Sequence, residues 1–293
     1  MLSVDEKSHR MRFACRISLL AMGLASWFAA AASAGALVEF ANRSERGPAT
    51  LVGYLARPDQ GLSALLGPGA PGPEQYPAVV VLHGCSGVSS HTAEIADKLG
   101  SWGYVALAVD SLGTRGLANR CAGGASFDQA FDAYAALRYL AQQDFVDPTR
   151  IAVLGQSMGG YSTLYAVDRD MVAQYFTERF RAAVAYYPAC NVVPLPTFTA
   201  PVLILIGEAD DWTPADRCRE MVAQTRPDSA PITLHVYPDA HHAFDIAVLK
   251  PGRRALGHSI EYNELASKDA EKKTRAFLAA HLAESSPGEP TKN

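Results

Sequence analysis

The sequence is short of several features that would classify it at once. It has five cysteines and no C-x-x-C pair, which argues against a zinc ribbon or a thioredoxin-type redox site. Basic residues do not outnumber acidic ones, 26 against 30, for a net charge of −4. There is therefore no basic field of the kind nucleic acid requires. No repeat recurs at a fixed period, which excludes solenoids and propellers. Past residue 35 there is neither an apolar run of membrane-spanning length nor a linker long enough to divide the chain.

What is present begins with the N-terminus. Arg10, Arg12 and Arg16 precede "ISLLAMGLASWFAAAA", and "ASA" follows at 32–34. A basic start, a short apolar stretch and a small-x-small site predict a secretory signal peptide over residues 1–34, cleaved after Ala34. An uncleaved membrane anchor is the alternative. Cleavage implies a periplasmic or secreted protein with no further membrane attachment. Cys15 leaves with the leader, and Cys85, Cys121, Cys190 and Cys218 remain. An even number of cysteines in an exported chain predicts disulfides, with three pairings open at this point.

The other 259 or so residues, in a chain that is 48% apolar, suffice for one large core. One domain is expected over 35–284, followed by a disordered tail, "SSPGEPTKN", at 285–293. The Gly- and Pro-rich "LLGPGAPGPEQYP" (65–77) reads as a surface loop. Apolar, β-rich runs recur at 50–56, 78–84, 104–110, 151–155, 182–188, 201–207 and 232–238. Several lack polar alternation, as strands buried on both faces do. Helical stretches lie between them. "SFDQAFDAYAALRYLAQQ" spaces Phe127, Phe131, Tyr134 and Leu137 by three and four residues, with Ser126 as its N-cap. "SKDAEKKTRAFLAAHLAE" closes the domain as an amphipathic helix. The alternation predicts an α/β fold, a mostly parallel central sheet with helices on both faces. Such sheets bind ligands at the carboxyl ends of their strands.

Three of those strand ends carry chemistry. "IAVLGQSMGGYS" (151–162) breaks an apolar strand with glycines around Ser157. G-x-S-x-G is the pattern of a nucleophile elbow, where small neighbours let one serine sit at a sharp strand-to-helix turn. A serine hydroxyl needs a base, and the base needs an orienting group. "PVLILIG" is followed by Asp210 and Asp211, and "ITLHVYP" by His241 and His242. The order Ser, Asp, His is that of the α/β-hydrolases. For the oxyanion, the backbone N–H groups of Met158 and of Cys85, in "VVVLHGCSG", are the candidates. His83 reads as a structural member of that loop. Such chemistry calls for no metal and no organic cofactor.

These segments resemble the dienelactone hydrolase family, within the α/β-hydrolase fold. The resemblance is carried by "VVLHGCSG", "DPTRIAVLGQSMGG", "YYPAC", "LILIGEADDWTP" and "VYPDAHHAFD", over about 78–245. The family's D-x-x-x-P and A-x-H-x-F segments select Asp210, with Pro214 four residues on, and His242, with Phe244 two residues on. A Ser157–His242–Asp210 triad is implied. Asp211 and His241 are then neighbours that shape the site. Three positions depart from the name-giving enzymes. Ser157 replaces cysteine, Gly84 stands for a glutamate, and Ile246 for an arginine that holds a substrate carboxylate. The departures and the export signal imply an esterase of different scope, acting on a small-molecule ester or lactone through an acyl-enzyme. A peptidase or acyltransferase on the same triad, or a non-catalytic binding protein of this fold, are the alternatives.

Within this layout Cys85 and Cys121 follow successive strands, as do Cys190 and Cys218, so the bridges Cys85–Cys121 and Cys190–Cys218 are expected. Trp212, Tyr161, Phe244 and Trp102 read first as core packing, with the lining of an apolar pocket as the alternative for each. Arg115 and Arg120 read as solvated loop charges, with contact to an anionic substrate as the alternative.

Overall fold

The computed structural model describes residues 35–58, 75–123, 128–190 and 196–283. The expected leader (1–34), most of the 65–77 loop, Ser126, Phe127 and the tail (285–293) lie outside the described residues.

The apolar runs become an eight-stranded sheet in the order β1-β2-β4-β3-β5-β6-β7-β8. Its strands are β1 (Ala36–Asn42), β2 (Ala49–Ala56), β3 (Tyr76–Leu82), β4 (Val105–Asp110), β5 (Val146–Gln156), β6 (Ala183–Tyr186), β7 (Val202–Gly207) and β8 (Ile232–Tyr237). β1 pairs antiparallel with β2, and β2 antiparallel with β4. Every other pairing is parallel. The unbroken apolar sequences of β3, β4 and β7 follow from burial on both faces. Val79 to Leu82, Val105 to Leu107 and Ile204 to Ile206 have no exposed surface at all. β1 was not anticipated. It is a partly exposed edge strand whose short apolar run is interrupted by Glu39.

The helices are α1 (Ser90–Ser101), α2 (Gln129–Ala141), α3 (Met158–Ala166), α4 (Arg169–Tyr175), α5 (Ala215–Ala223) and α6 (Glu264–His281). The N-cap expected at Ser126 is corrected. Asp128 caps α2, its side chain accepting from the Ala130 N–H, so the helix starts two residues later than that serine implied. Phe131, Tyr134 and Leu137 face the core as their spacing predicted.

A two-stranded hairpin, β9 (Arg253–Ala255) and β10 (His258–Ile260), lies outside the main sheet. It joins the sheet's carboxyl edge through a bridge between His242 and Ile260. Both expected disulfides are present, Cys85–Cys121 and Cys190–Cys218. Among the described residues no helix is long and apolar enough to cross a membrane, and no cluster of acidic, histidine or cysteine side chains could hold a metal ion.

Candidate active site

Parallel strands align their carboxyl ends, and the segments that leave β3, β5, β6, β7 and β8 converge there. β5 runs directly into α3 with Ser157 at the turn. Ser157 adopts φ 53° and ψ −113°, left-handed backbone that a non-glycine residue rarely holds. The turn exists because its flanks have no side chains. A Cβ on Gly155 would enter the Gly159 carbonyl, and one on Gly159 would enter the Leu82 and His83 carbonyls. Gly84 lies against Ser157 from the β3 side.

The three sequence candidates come together. His242 Nε2 lies 2.9 Å from Ser157 Oγ. Its Nδ1 lies 2.8 Å from Asp210 Oδ2. A carboxylate only accepts, so Nδ1 carries the ring proton and Nε2 is left to accept from the serine hydroxyl. Asp210 is itself fixed, its Oδ1 accepting from the Trp212 N–H at 2.9 Å and the Thr213 N–H at 2.8 Å. Asp210 and His242 are both buried. The rejected neighbours turn elsewhere. His241 Nδ1 meets the Ala209 carbonyl at 2.9 Å, and Asp211 accepts from the Ser259 N–H of the hairpin at 2.9 Å.

Ser157 and His242 open on a cavity of about 340 Å³. Its lining includes Cys85, His91 and Gln156 together with the apolar Trp212, Ile246 and Leu249. Cys85 thus borders the cavity that holds the serine. Met158, the first residue of α3, has an N–H without an intrahelical acceptor, and the residue borders a neighbouring cavity of about 490 Å³. His83 is fully buried. Its Nδ1 faces the Gly84 carbonyl at 2.7 Å, and its Nε2 accepts from the Ser111 N–H at 3.1 Å. Burial lowers its pKa, so it stays neutral and braces the loop.

The aromatic candidates divide. Trp212 lines the serine cavity, its ring 5.1 Å from that of His242. Tyr161 does not. It sits one helical turn beyond Ser157, which points it into the neighbouring cavity beside Arg46 and Arg120. Phe244 has no exposed surface and packs on Tyr186, Tyr187 and Tyr237, so it is core. Trp102 caps the far end of α1, under the Arg275 guanidinium. Twelve helical residues, about 18 Å at 1.5 Å each, separate it from the helix start that meets the cavity. Arg115 is no solvated charge, since it forms a two-pronged pair with the buried Asp132 at 2.8 and 2.9 Å. Arg120 borders the neighbouring cavity.

Sequence reasoning missed two residues beside the site. The Thr213 hydroxyl lies 2.9 Å from Asp210 Oδ2 and 3.1 Å from the Tyr187 carbonyl. Tyr187, at φ 36°, lays its ring 4.7 Å from the His242 imidazole. The sequence signals for Tyr187 were its position at the end of a buried strand and its place in "YYPAC", neither of which set it beside His242.

The family model of the dienelactone hydrolase family matches residues 63–282. A protein of Bradyrhizobium described as a probable 2-oxo-3-(5-oxofuran-2-ylidene)propanoate lactonase is 27% identical over 221 residues, 71% of this chain and 85% of that one. Among solved structures, a dienelactone hydrolase-like promiscuous phosphotriesterase from metagenomic libraries superposes with a TM-score of 0.63 at 18% identity, covering 85% of this chain and all of that one. A thermophilic esterase of Thermogutta terrifontis, with propionate bound, superposes with a TM-score of 0.62 at 18% identity, covering 87% of this chain and 98% of that one. At these identities the two structures speak to the fold, which is that of α/β-hydrolases.

Proposed function

The chain belongs to the dienelactone hydrolase family, and from that premise we propose that it cleaves small-molecule esters or lactones through Ser157, His242 and Asp210. It is a carboxylic ester hydrolase by family. The observation that carries the assignment to these three residues is the unbroken hydrogen-bond path from Ser157 Oγ through the His242 ring to Asp210, opening on a cavity.

The chemistry follows from that path. His242 Nε2 takes the hydroxyl proton as Oγ attacks the ester carbonyl carbon. Asp210 keeps the ring in the required tautomer and stabilises the imidazolium that forms. The N–H groups of Met158 and Cys85 receive the oxyanion of the tetrahedral intermediate. The intermediate collapses as the carbon–oxygen bond to the alcohol breaks, and His242 hands its proton to the departing oxygen. Water then attacks the acyl-serine by the same route and regenerates the hydroxyl. In a lactone the departing alcohol remains part of the acyl group, so the second step releases a single hydroxy acid.

We read the protein as exported. Two disulfides are the mark of an oxidising compartment, in keeping with the leader pattern in the sequence of residues 1–34.

The test is hydrolysis of p-nitrophenyl esters from acetate to dodecanoate by the mature protein and by Ser157→Ala. The wild type is expected to turn over the shorter esters, and Ser157→Ala to lose kcat by roughly three orders of magnitude or more. A folded Ser157→Ala protein within tenfold of wild type would remove Ser157 from the role.

A further inference from the structure

Behind the Ser157–His242 pair lies a second, largely buried carboxylate that the mechanism above does not use. Asp245 Oδ1 accepts from the Tyr187 hydroxyl at 2.7 Å. Its Oδ2 accepts from the Gln156 amide at 2.6 Å, and His91 Nε2 lies 3.2 Å from that same oxygen. The His91 and Asp245 side chains are only 16% and 10% exposed, so the carboxylate depends on these partners to offset its desolvation.

The partners are not scattered. Gln156 directly precedes Ser157 at the end of β5. Tyr187 forms the aromatic wall against His242. His91 comes from the first turn of α1 and also borders the cavity. One carboxylate therefore ties the residue behind the serine to the ring beside its base. Backbone strain makes such a tie useful, because Ser157 and Tyr187 both hold positive φ and need surroundings that over-determine them.

His91 adds a protonation choice. Its Nε2 is also 2.9 Å from the Gln156 amide nitrogen. One ring nitrogen cannot serve both neighbours. The imidazolium donates to Asp245. The neutral ring, with its proton on Nδ1, accepts the second amide hydrogen of Gln156 instead. Burial disfavours a charged His91, but the hydrogen bond and charge of Asp245 outweigh it and raise its pKa. Burial likewise works against an ionised Asp245, and His91 and then Tyr187 reverse that and lower its pKa. The other titratable groups around the ring are Glu94 at 3.8 Å and Lys98 on its own helix, Glu271 of α6 lining the small cavity beside it, and His242, which lines the serine cavity with it.

We propose that Asp245, paired with His91, is a positioning carboxylate that holds Ser157 and His242 in register through Gln156 and Tyr187. The proposal rests on the hydrolytic reading of Ser157. Three variants of the full mature chain test it. Asp245→Asn keeps shape and removes charge. His91→Ala leaves the carboxylate without its cation. His91→Gln offers Asp245 an amide donor that does not titrate. Reactive serines are counted with a fluorophosphonate, and kcat and KM for p-nitrophenyl butyrate are measured from pH 5 to 9 per reactive serine.

Asp245→Asn and His91→Ala are expected to lower kcat at least tenfold with KM within threefold. His91→Gln is expected to recover most of what His91→Ala loses at pH 7. The kcat profile of the wild type should bend as pH rises through the titration of His91, and His91→Gln should lack that bend. Should Asp245→Asn fail to fold, the two His91 variants decide. Variants within threefold of wild type in kcat, all sharing its pH profile, overturn the proposal, as does a rise in KM alone. Retained turnover in Ser157→Ala is a separate outcome that takes the hydrolytic reading down, and this one with it.

Discussion

At the scale of the residue, the site depends on side chains whose other bonds leave them one orientation. Asp210 is the clearest example, with two backbone N–H groups on one oxygen and His242 on the other. Thr213 adds a hydroxyl to that second oxygen. Thr213→Val removes it at nearly constant shape. A hydrogen bond to a charged group contributes about 1.5–3 kcal/mol, so steady-state kinetics should show kcat lowered by about tenfold or more and KM little changed. An unaltered kcat would mean that the backbone donors suffice. Ser157, Asp210 and His242 were legible because each stands just past a buried strand in a recognisable order. Thr213, Tyr187 and Asp245 were not. The roles of Tyr187 and Asp245 arise from a meeting of segments 58 residues apart, and that of Thr213 from a local turn beside Asp210 that no motif marks. Tyr161 and Phe244, weighed between pocket and core, could not be placed from the sequence for a related reason. Proximity in sequence to a catalytic candidate does not fix which side of a helix or strand a ring occupies.

At the scale of the element, the β5–α3 turn is the critical construction. Gly155 has no room for a methyl group, because the Gly159 carbonyl and the Thr163 hydroxyl occupy its place. Gly155→Ala should lower the free energy of unfolding by about 1–3 kcal/mol, in the range of overpacked sites, and reduce the count of reactive serines. Urea unfolding followed by circular dichroism measures the first, and fluorophosphonate titration the second. An unchanged midpoint would show that the turn can relax. The parallel strands were readable because burial on both faces leaves long apolar runs. The hairpin β9–β10 was not, since strands of three residues are too short to show a period. Yet Arg253, Ala255 and Ile260 of that hairpin help to wall the cavity, so this part of the cavity lining was the least legible.

At the scale of the whole molecule, two covalent bridges reinforce the carboxyl edge of the sheet. Cys85–Cys121 closes a 36-residue separation beside the cavity, and Cys190–Cys218 one of 28. The chain-entropy model assigns each roughly 3.5–4 kcal/mol. Reduction under native conditions should lower Tm by many degrees, and thiol titration of the unreduced, unfolded mature chain should find none of the four cysteines free. Four reactive thiols would contradict both bridges. The pairing was readable because Cys85 and Cys121 follow successive strands, as do Cys190 and Cys218, and the sheet sets β3 beside β4 and β6 beside β7.

The most direct measurement of the central claim is the site of acylation. The mature protein is mixed rapidly with p-nitrophenyl acetate, quenched in acid within the first turnover, digested and mapped by mass spectrometry. The account predicts one acetyl group, on Ser157, absent from His242→Ala treated in the same way. Turnover with the acetyl group on another residue, or with no acylated peptide at any quench time while p-nitrophenol is released, would contradict it.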